Sequence, residues 1–104
     1  MIVILYKTKN QTEGTRISHA LIESRLCNSI DELPMLKSFS YVDGKVEEHQ
    51  EVLLLIKTKA LLYSRVEKKI KELTSDDNPK MYSLPMTQID ENYRSLLRKD
   101  VIEV

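Results

Sequence analysis

The chain has 104 residues, which is the size of one domain, and we expect residues 1–104 to form a single domain. Hydrophobic residues make up 41% of the sequence, which is enough for a core, while 16 basic and 16 acidic residues leave no net charge. A neutral chain lacks the positive field that nucleic-acid binding requires, so nucleic acid is excluded as a partner. Cys27 is the only cysteine, which excludes an intramolecular disulfide and a cysteine-based zinc site within one chain.

The sequence contains no segment with the length of a membrane span, because no apolar run approaches about 20 residues. The apolar residues 2–5 follow Met1 directly, without the basic segment and the longer apolar stretch of a secretory signal. We therefore expect no membrane association and a cytoplasmic location, since a reducing compartment suits a lone cysteine.

The apolar pattern predicts four strands and three helices. Apolar runs rich in β-branched residues are typical of strands, and apolar side chains spaced by 3.6 residues are typical of helices. In chain order, the sequence predicts a strand at residues 2–6, a helix at 12–26, a strand at 36–42, a strand at 52–56, a helix at 58–73, a strand at 80–86 and a short helix at 90–99. The turn pair Asp43 and Gly44 joins the second and third strands as a hairpin.

This order predicts an α+β fold of the ferredoxin-like, split βαβ type, with a four-stranded antiparallel sheet, two main helices on one face and a short C-terminal helix. Two helices cover only one face of such a sheet, whereas residues 52–56 are five apolar residues without alternation and need cover on both faces. A second subunit is the expected cover for the other face. The alternative is that the sheet curls and the C-terminal helix folds beneath it.

Two strings near the middle of the chain resemble a known signature. Residues 44–48 read Gly-Lys-Val-Glu-Glu and residues 51–58 read Glu-Val-Leu-Leu-Leu-Ile-Lys-Thr; together they resemble the divalent-cation tolerance (CutA) family. Pro79, Pro85 and Tyr93 also match this family, so the chain is identified as a divergent member over nearly its whole length. The resemblance implies a tight homotrimer of ferredoxin-like protomers, similar to the PII signalling proteins, and a non-enzymatic role in divalent metal (copper) tolerance.

The positions to which metal binding is usually assigned in this family differ in this chain. Ser29 stands where the family has a cysteine, Cys27 lies two residues earlier, and Thr74 stands where the family has a histidine. Affinity for copper depends on thiolate and imidazole ligands in fixed geometry. We therefore expect only weak binding of copper or another divalent cation, with Cys27 and Asp76 or Asp77 of a neighbouring subunit as ligands, and no other cofactor.

The resemblance also implies ligand-binding clefts between subunits, to which we assign Tyr41 and Lys57. An enzyme that handles nucleotides is not indicated, because Gly14 and Gly44 stand alone and form neither a phosphate-binding loop nor a dinucleotide fingerprint. The alternative function is a PII-like signalling or protein-interaction scaffold. PII proteins have a long loop between their middle strands, so the short turn at Asp43 favours the tolerance protein.

Overall fold

The computed structural model describes all of residues 1–104 and has one sheet, three α-helices and a short 3-10 turn. In chain order the elements are β1 (Ile2–Thr8), α1 (Gln11–Glu23), β2 (Ser29–Val42), β3 (Lys45–Thr58), the 3-10 turn (Ala60–Leu62), α2 (Tyr63–Leu73), β4 (Lys80–Pro85) and α3 (Glu91–Arg98). The strand order is β2-β3-β1-β4, and every neighbouring pair is antiparallel. The predicted α+β fold of the ferredoxin-like, split βαβ type is confirmed.

The core lies between the sheet and the helices α1 and α2. Ile4 and Tyr6 of β1 are fully buried, and their partners on β3, Ile56 and Leu54, are buried on the same face. Each helix places its apolar residues on one stripe that faces these strands. The helical members of this core are Ile17, Leu21, Val66 and Ile70. Both main helices therefore cover one face of the sheet, as predicted.

Helix α1 ends at Glu23, three residues earlier than predicted. Arg25 has left-handed backbone geometry (φ 63°), and the N–H of Leu26 donates to the carbonyl of Leu21 at 3.1 Å. This geometry closes the last helical turn in the way a C-terminal glycine usually does. Because an arginine occupies the left-handed position, the sequence carries no signal for this end.

Strand β2 begins at Ser29, seven residues before the predicted start at residue 36. A bulge between Leu33 and Leu36 breaks the register with β3, and Pro34 lies within it. β2 is an edge strand, and an edge strand tolerates a proline and a bulge because one side of its backbone has no partner strand. The strand therefore continues through the proline.

The strands β2 and β3 form a long ribbon that ends in a two-residue turn. Asp43 (φ 49°) and Gly44 (φ 79°) both have left-handed geometry, which is typical of a type I′ hairpin turn, so the predicted hairpin is confirmed. Residues 46–50, which the prediction left outside the third strand, pair with β2. β1 ends opposite Val52, so the ribbon beyond that residue projects past the rest of the sheet.

Helix α3 packs against the end of β3 and leaves most of the second face of the sheet uncovered. Leu97 is buried, and the side-chain amide of Asn28 donates to the carbonyls of Leu96 and Lys99 at the end of α3. Tyr82 and Leu84 on the second face remain exposed. The alternative in which the C-terminal helix covers this face is therefore wrong. None of the helices is both long enough and apolar enough to cross a membrane.

Candidate functional site

The face of the sheet that points away from α1 and α2, here called the open face, carries apolar side chains on all four strands, with Lys57 at one end and Lys7 and Lys80 at the other. Side chains alternate along a strand, so these residues lie between the core residues in sequence. The apolar residues of the open face are Leu33 on β2, Leu53 and Leu55 on β3, Val3 and Leu5 on β1, and Tyr82 and Leu84 on β4. Leu33, Tyr82 and Leu84 are 45%, 52% and 49% exposed. Such a contiguous patch is typical of an interface.

Lys57 lies on the open face and is held by polar neighbours. Its Nζ is 2.6 Å from Oδ2 of Asp31 and donates to Oγ of Ser29 at 3.2 Å. Burial lowers the pKa of Lys57, but the carboxylate of Asp31 and the phenol of Tyr93 outweigh burial, so the pKa is raised. Lys57 therefore remains a fixed cation beside an apolar surface.

Tyr41 lies far from Lys57 in the same protomer. It pairs with Val46 near the tip of the ribbon and is exposed, whereas Lys57 pairs with Ser29 at the other end of β3. Val46 and Lys57 are eleven residues apart on one strand, which corresponds to about 36 Å. A single protomer therefore does not bring the two predicted cleft residues together.

Glu13 holds the loop that follows α2, and the sequence analysis did not identify it. Its Oε1 accepts hydrogen bonds from Oγ1 of Thr74 at 2.7 Å and from the N–H of Ser75 at 3.0 Å, while its Oε2 accepts from Oγ of Ser75 at 2.7 Å. These bonds, with that of Thr74 first, lower the pKa of Glu13 despite burial. Oγ1 of Thr74 also accepts from the phenol of Tyr6 at 2.8 Å.

The sequence feature that could have identified Glu13 is its position in the helical pattern. Glu13 lies four residues before Ile17 and eight before Leu21, so a carboxylate occupies the apolar stripe of α1. A buried carboxylate needs hydrogen-bond donors, and the fold supplies them from Thr74 and Ser75. The sequence does not show which donors meet Glu13, because these donors lie 61 and 62 residues further along the chain.

Asp76 and Asp77 are exposed in the loop before β4. Oδ1 of Asp76 accepts from the N–H of Asn78 at 2.9 Å, and the N–H of Asp76 donates to Oγ1 of Thr74 at 3.1 Å. This pattern is an ordinary side-chain-stabilised turn. Asp76 thus lies near the N-terminal end of α1, where Glu13 holds the loop.

Cys27 lies at the other end of α1 and is 1% exposed. Burial raises the pKa of its thiol to about 12, although a backbone hydrogen bond from Ser29 favours the thiolate. A helix of 13 residues is about 20 Å long, so Cys27 and Asp76 of one protomer do not share a site. Throughout residues 1–104, no three His, Cys, Asp or Glu side chains form a group suited to a metal ion.

The chain matches one known protein family over nearly its whole length. The family model described as "CutA1 divalent ion tolerance protein" matches residues 2–100. The divalent-cation tolerance protein CutA of Thermus thermophilus is 30% identical over 98 residues, which cover 94% of this chain and 95% of the relative.

Solved structures of similar proteins have the same fold as this chain. A divalent cation tolerance protein (Cut A1) from Thermus thermophilus has a TM-score of 0.88 at 29% identity and covers 97% of this chain and 99% of its own. CutA1 from Oryza sativa has a TM-score of 0.90 at 26% identity, with 99% of this chain and 94% of that chain covered. A CutA from Archaeoglobus fulgidus, described as periplasmic, matches in fold with a TM-score of 0.88 at 23% identity, covering 98% of this chain and 100% of its own. With its four-stranded sheet and the family match from residue 2 to residue 100, the chain belongs to the CutA1 divalent ion tolerance family.

Proposed function

We propose that this protein is a non-enzymatic homotrimer that contributes to divalent metal (copper) ion tolerance. The family match over residues 2–100 supports the tolerance role, and the names of the relatives describe tolerance of divalent cations and no reaction. The observation that carries the trimer is the open face, an apolar surface most of which is not covered within the protomer. Residues 1–104 act as the single domain of each subunit. The lone buried cysteine is compatible with a cytoplasmic location.

The sheet offers two kinds of contact between subunits. Open faces can pack against each other, and the strands β2 and β4 at the two edges have unpaired backbone groups on their outer sides. Edge-to-edge pairing would satisfy these groups, while face-to-face packing would bury the apolar residues. Both contacts together can close a ring of three subunits.

The ligand clefts in this proposal lie between subunits. Tyr41 and Lys57 are too far apart in one protomer to contact one ligand, so the cleft takes Tyr41 from the ribbon of one subunit and Lys57 from its neighbour. Lys57 supplies a fixed positive charge, and Tyr41 supplies an exposed aromatic ring. This pair suits a small anionic ligand with an apolar part.

The metal ligands in this proposal are Cys27 of one subunit and Asp76 and Asp77 of another. Binding is weak for two reasons. The Cys27 thiol is neutral and buried, and it must lose its proton before it can bind a metal. Carboxylate oxygens are hard ligands that suit copper less well than thiolate or imidazole.

The assembly is tested by light scattering at micromolar concentration. We expect a mass near three times the 12.1 kDa of one chain. A mass near 12.1 kDa would overturn the trimer and leave the open face without a partner subunit.

Metal binding is tested by calorimetric titration of the reduced protein with copper and zinc. We expect no submicromolar binding, and we expect Cys27→Ser and the double variant Asp76→Asn/Asp77→Asn each to weaken whatever binding is measured. Asp43→Asn, which removes an exposed carboxylate at the ribbon tip, is the control. Submicromolar binding that survives Cys27→Ser would show that the ligands lie elsewhere.

A PII-like interaction scaffold is the second candidate function. The two-residue turn lacks the long loop of PII proteins, but exposed apolar side chains on the ribbon favour a docking role. Phe39, Tyr41 and Val46 lie on the same side of the ribbon and are 64%, 77% and 71% exposed. The double variant Phe39→Ser/Tyr41→Ser separates the two functions. If the ribbon docks on a neighbouring subunit, this variant weakens the trimer; if the mass and the melting temperature stay unchanged, the ribbon is free for another partner.

A further inference from the structure

The groove between the end of α1 and the outer side of α2, here called the basic groove, carries an excess of positive charge. It is a cavity of about 270 Å³ lined by Ser24, Leu26, Arg65, Lys68, Lys69 and Glu72. Three of these side chains are cationic and one is a carboxylate. In a chain without net charge, the groove is therefore a local concentration of positive charge.

The cations of the basic groove have no partner in the protein. None of the side chains of Arg65, Lys68 and Lys69 forms an ion pair with a carboxylate or a hydrogen bond. Lys71 on the same helix does pair with Glu67, at 3.9 Å. Glu72 lies four residues after Lys68, a spacing that permits an ion pair, but it forms none. The groove thus keeps its positive charges available.

The spacing of these residues brings like charges together. Lys68 and Lys69 lie three and four residues after Arg65, so the three side chains share one side of α2. Like charges at this spacing destabilise a helix. The partial negative charge at the C-terminal end of α1 offsets less than one of the three cations, because a helix end carries only about half an elementary charge. An anion in the groove would remove the remaining repulsion.

We propose that the basic groove binds a small phosphate-bearing anion. The guanidinium of Arg65 can donate two parallel hydrogen bonds to phosphate oxygens, and the ammonium groups of Lys68 and Lys69 add point charges. The groove lies on the helix side of the sheet, so association through the open face leaves it accessible. The inference therefore does not depend on the proposed trimer or on the metal ligands.

The test is a titration of the full chain with inorganic pyrophosphate at constant ionic strength, followed by calorimetry and by backbone amide NMR. We expect saturable binding, with the largest shifts at residues 24–26 and 65–72. The triple variant Arg65→Gln/Lys68→Gln/Lys69→Gln should bind at least about tenfold more weakly. Lys68→Arg/Lys69→Arg should retain binding, because it keeps both charges.

The matched control is Lys9→Gln/Lys45→Gln/Lys71→Gln, which removes the same number of charges from exposed positions outside the groove. We expect this control to bind pyrophosphate as the unmodified protein does. Absence of saturable binding, or equal weakening in both triple variants, overturns the proposal. If the first triple variant does not fold, the double variant Lys68→Gln/Lys69→Gln replaces it under the same criteria.

A second titration uses a nucleoside triphosphate. Affinity equal to that for pyrophosphate assigns recognition to the phosphates alone, and tighter binding with the same shifts shows that the nucleoside also contacts the groove. Both results support the proposal. Shifts confined to the open face or to the ribbon would overturn it, because they would place the anion at another site.

Discussion

Leu54 and Leu55 are consecutive residues of β3 whose side chains point to opposite faces of the sheet. Leu54 is fully buried beneath α1 and α2, whereas Leu55 is only half-buried on the open face. Burial of a leucine side chain contributes about 1.5–3 kcal/mol to stability. Leu54 gains this contribution within the protomer. Leu55 gains its full share only when another surface covers the open face.

The comparison shows that a strand can be apolar for two different reasons. The covered face is apolar because the chain folds over it, and the open face is apolar although the chain leaves most of it uncovered. Variants that place the same charge on each face therefore have different consequences. A charge on the covered face acts on folding, and a charge on the open face acts on assembly.

The largest effect is expected for Leu54→Lys. The substitution places a cation at a fully buried position without a partner, which costs more than about 4 kcal/mol and removes much of the stability of a small domain. Circular dichroism during thermal unfolding should show a greatly lowered melting temperature or an unfolded chain. An unchanged melting temperature would show that Leu54 does not lie in the core.

The next largest effect is expected for Leu55→Lys. The new ammonium group can reach water in the isolated protomer, so we expect the fold to survive while association through the open face is lost. Light scattering should give a mass near 12.1 kDa, with the helical circular dichroism retained. If the mass stays near three times that value, the open face is not the interface.

The covered face could be predicted from the sequence, whereas the length of the ribbon could not. Residues 52–56 and the spacing of Val66 and Ile70 carry a clear apolar pattern because they pack against each other. Residues 45–50 pair only with β2, beyond the end of β1, so no core imposes an apolar period on them. The strand through Pro34 was missed for a related reason, since only an edge position permits it.

The candidate site was predictable where a side chain is unusual by itself, and not where distant partners define it. Cys27 is conspicuous because it is the only cysteine, but its burial depends on the whole core. Lys57 follows an apolar run, yet its contact with Asp31 requires the pairing of β2 and β3. Glu13 shows the limit most clearly, because its donors Thr74 and Ser75 come from the opposite half of the chain.

A smaller effect is expected for Glu13→Gln, which tests a charge on the covered side of the sheet. Hydrogen bonds to a charged group are worth about 1.5–3 kcal/mol, so the variant should be less stable at neutral pH by roughly that amount. The folded pKa of Glu13 lies below its ordinary value of 4.5, so the carboxylate stabilises the fold above that pH. This contribution is lost as the pH falls through the folded pKa.

The measurement is the melting temperature of Glu13→Gln and of the unmodified protein between neutral and strongly acidic pH. The difference between the two should be largest at neutral pH and should shrink below about pH 4.5. Glu23→Gln is the control, because Glu23 is exposed on the same helix and forms no ion pair. A constant difference at all pH values would show that the carboxylate charge of Glu13 is not what holds the loop.

The smallest effect on the protein is expected when it is treated with a thiol reagent. The rate at which Cys27 reacts tests whether this residue lies in the covered core, without any change to the fold. The thiolate is the reactive form, and Cys27 is both buried and held neutral by a pKa of about 12. At pH 8 the native protein should therefore react only as fast as it opens. The double variant Cys27→Ser/Ser64→Cys, with its thiol at an exposed position of α2, should react at once. Equal rates for the two thiols would mean that Cys27 lies outside the covered core, and the contrast between the two faces would then not extend to the end of α1.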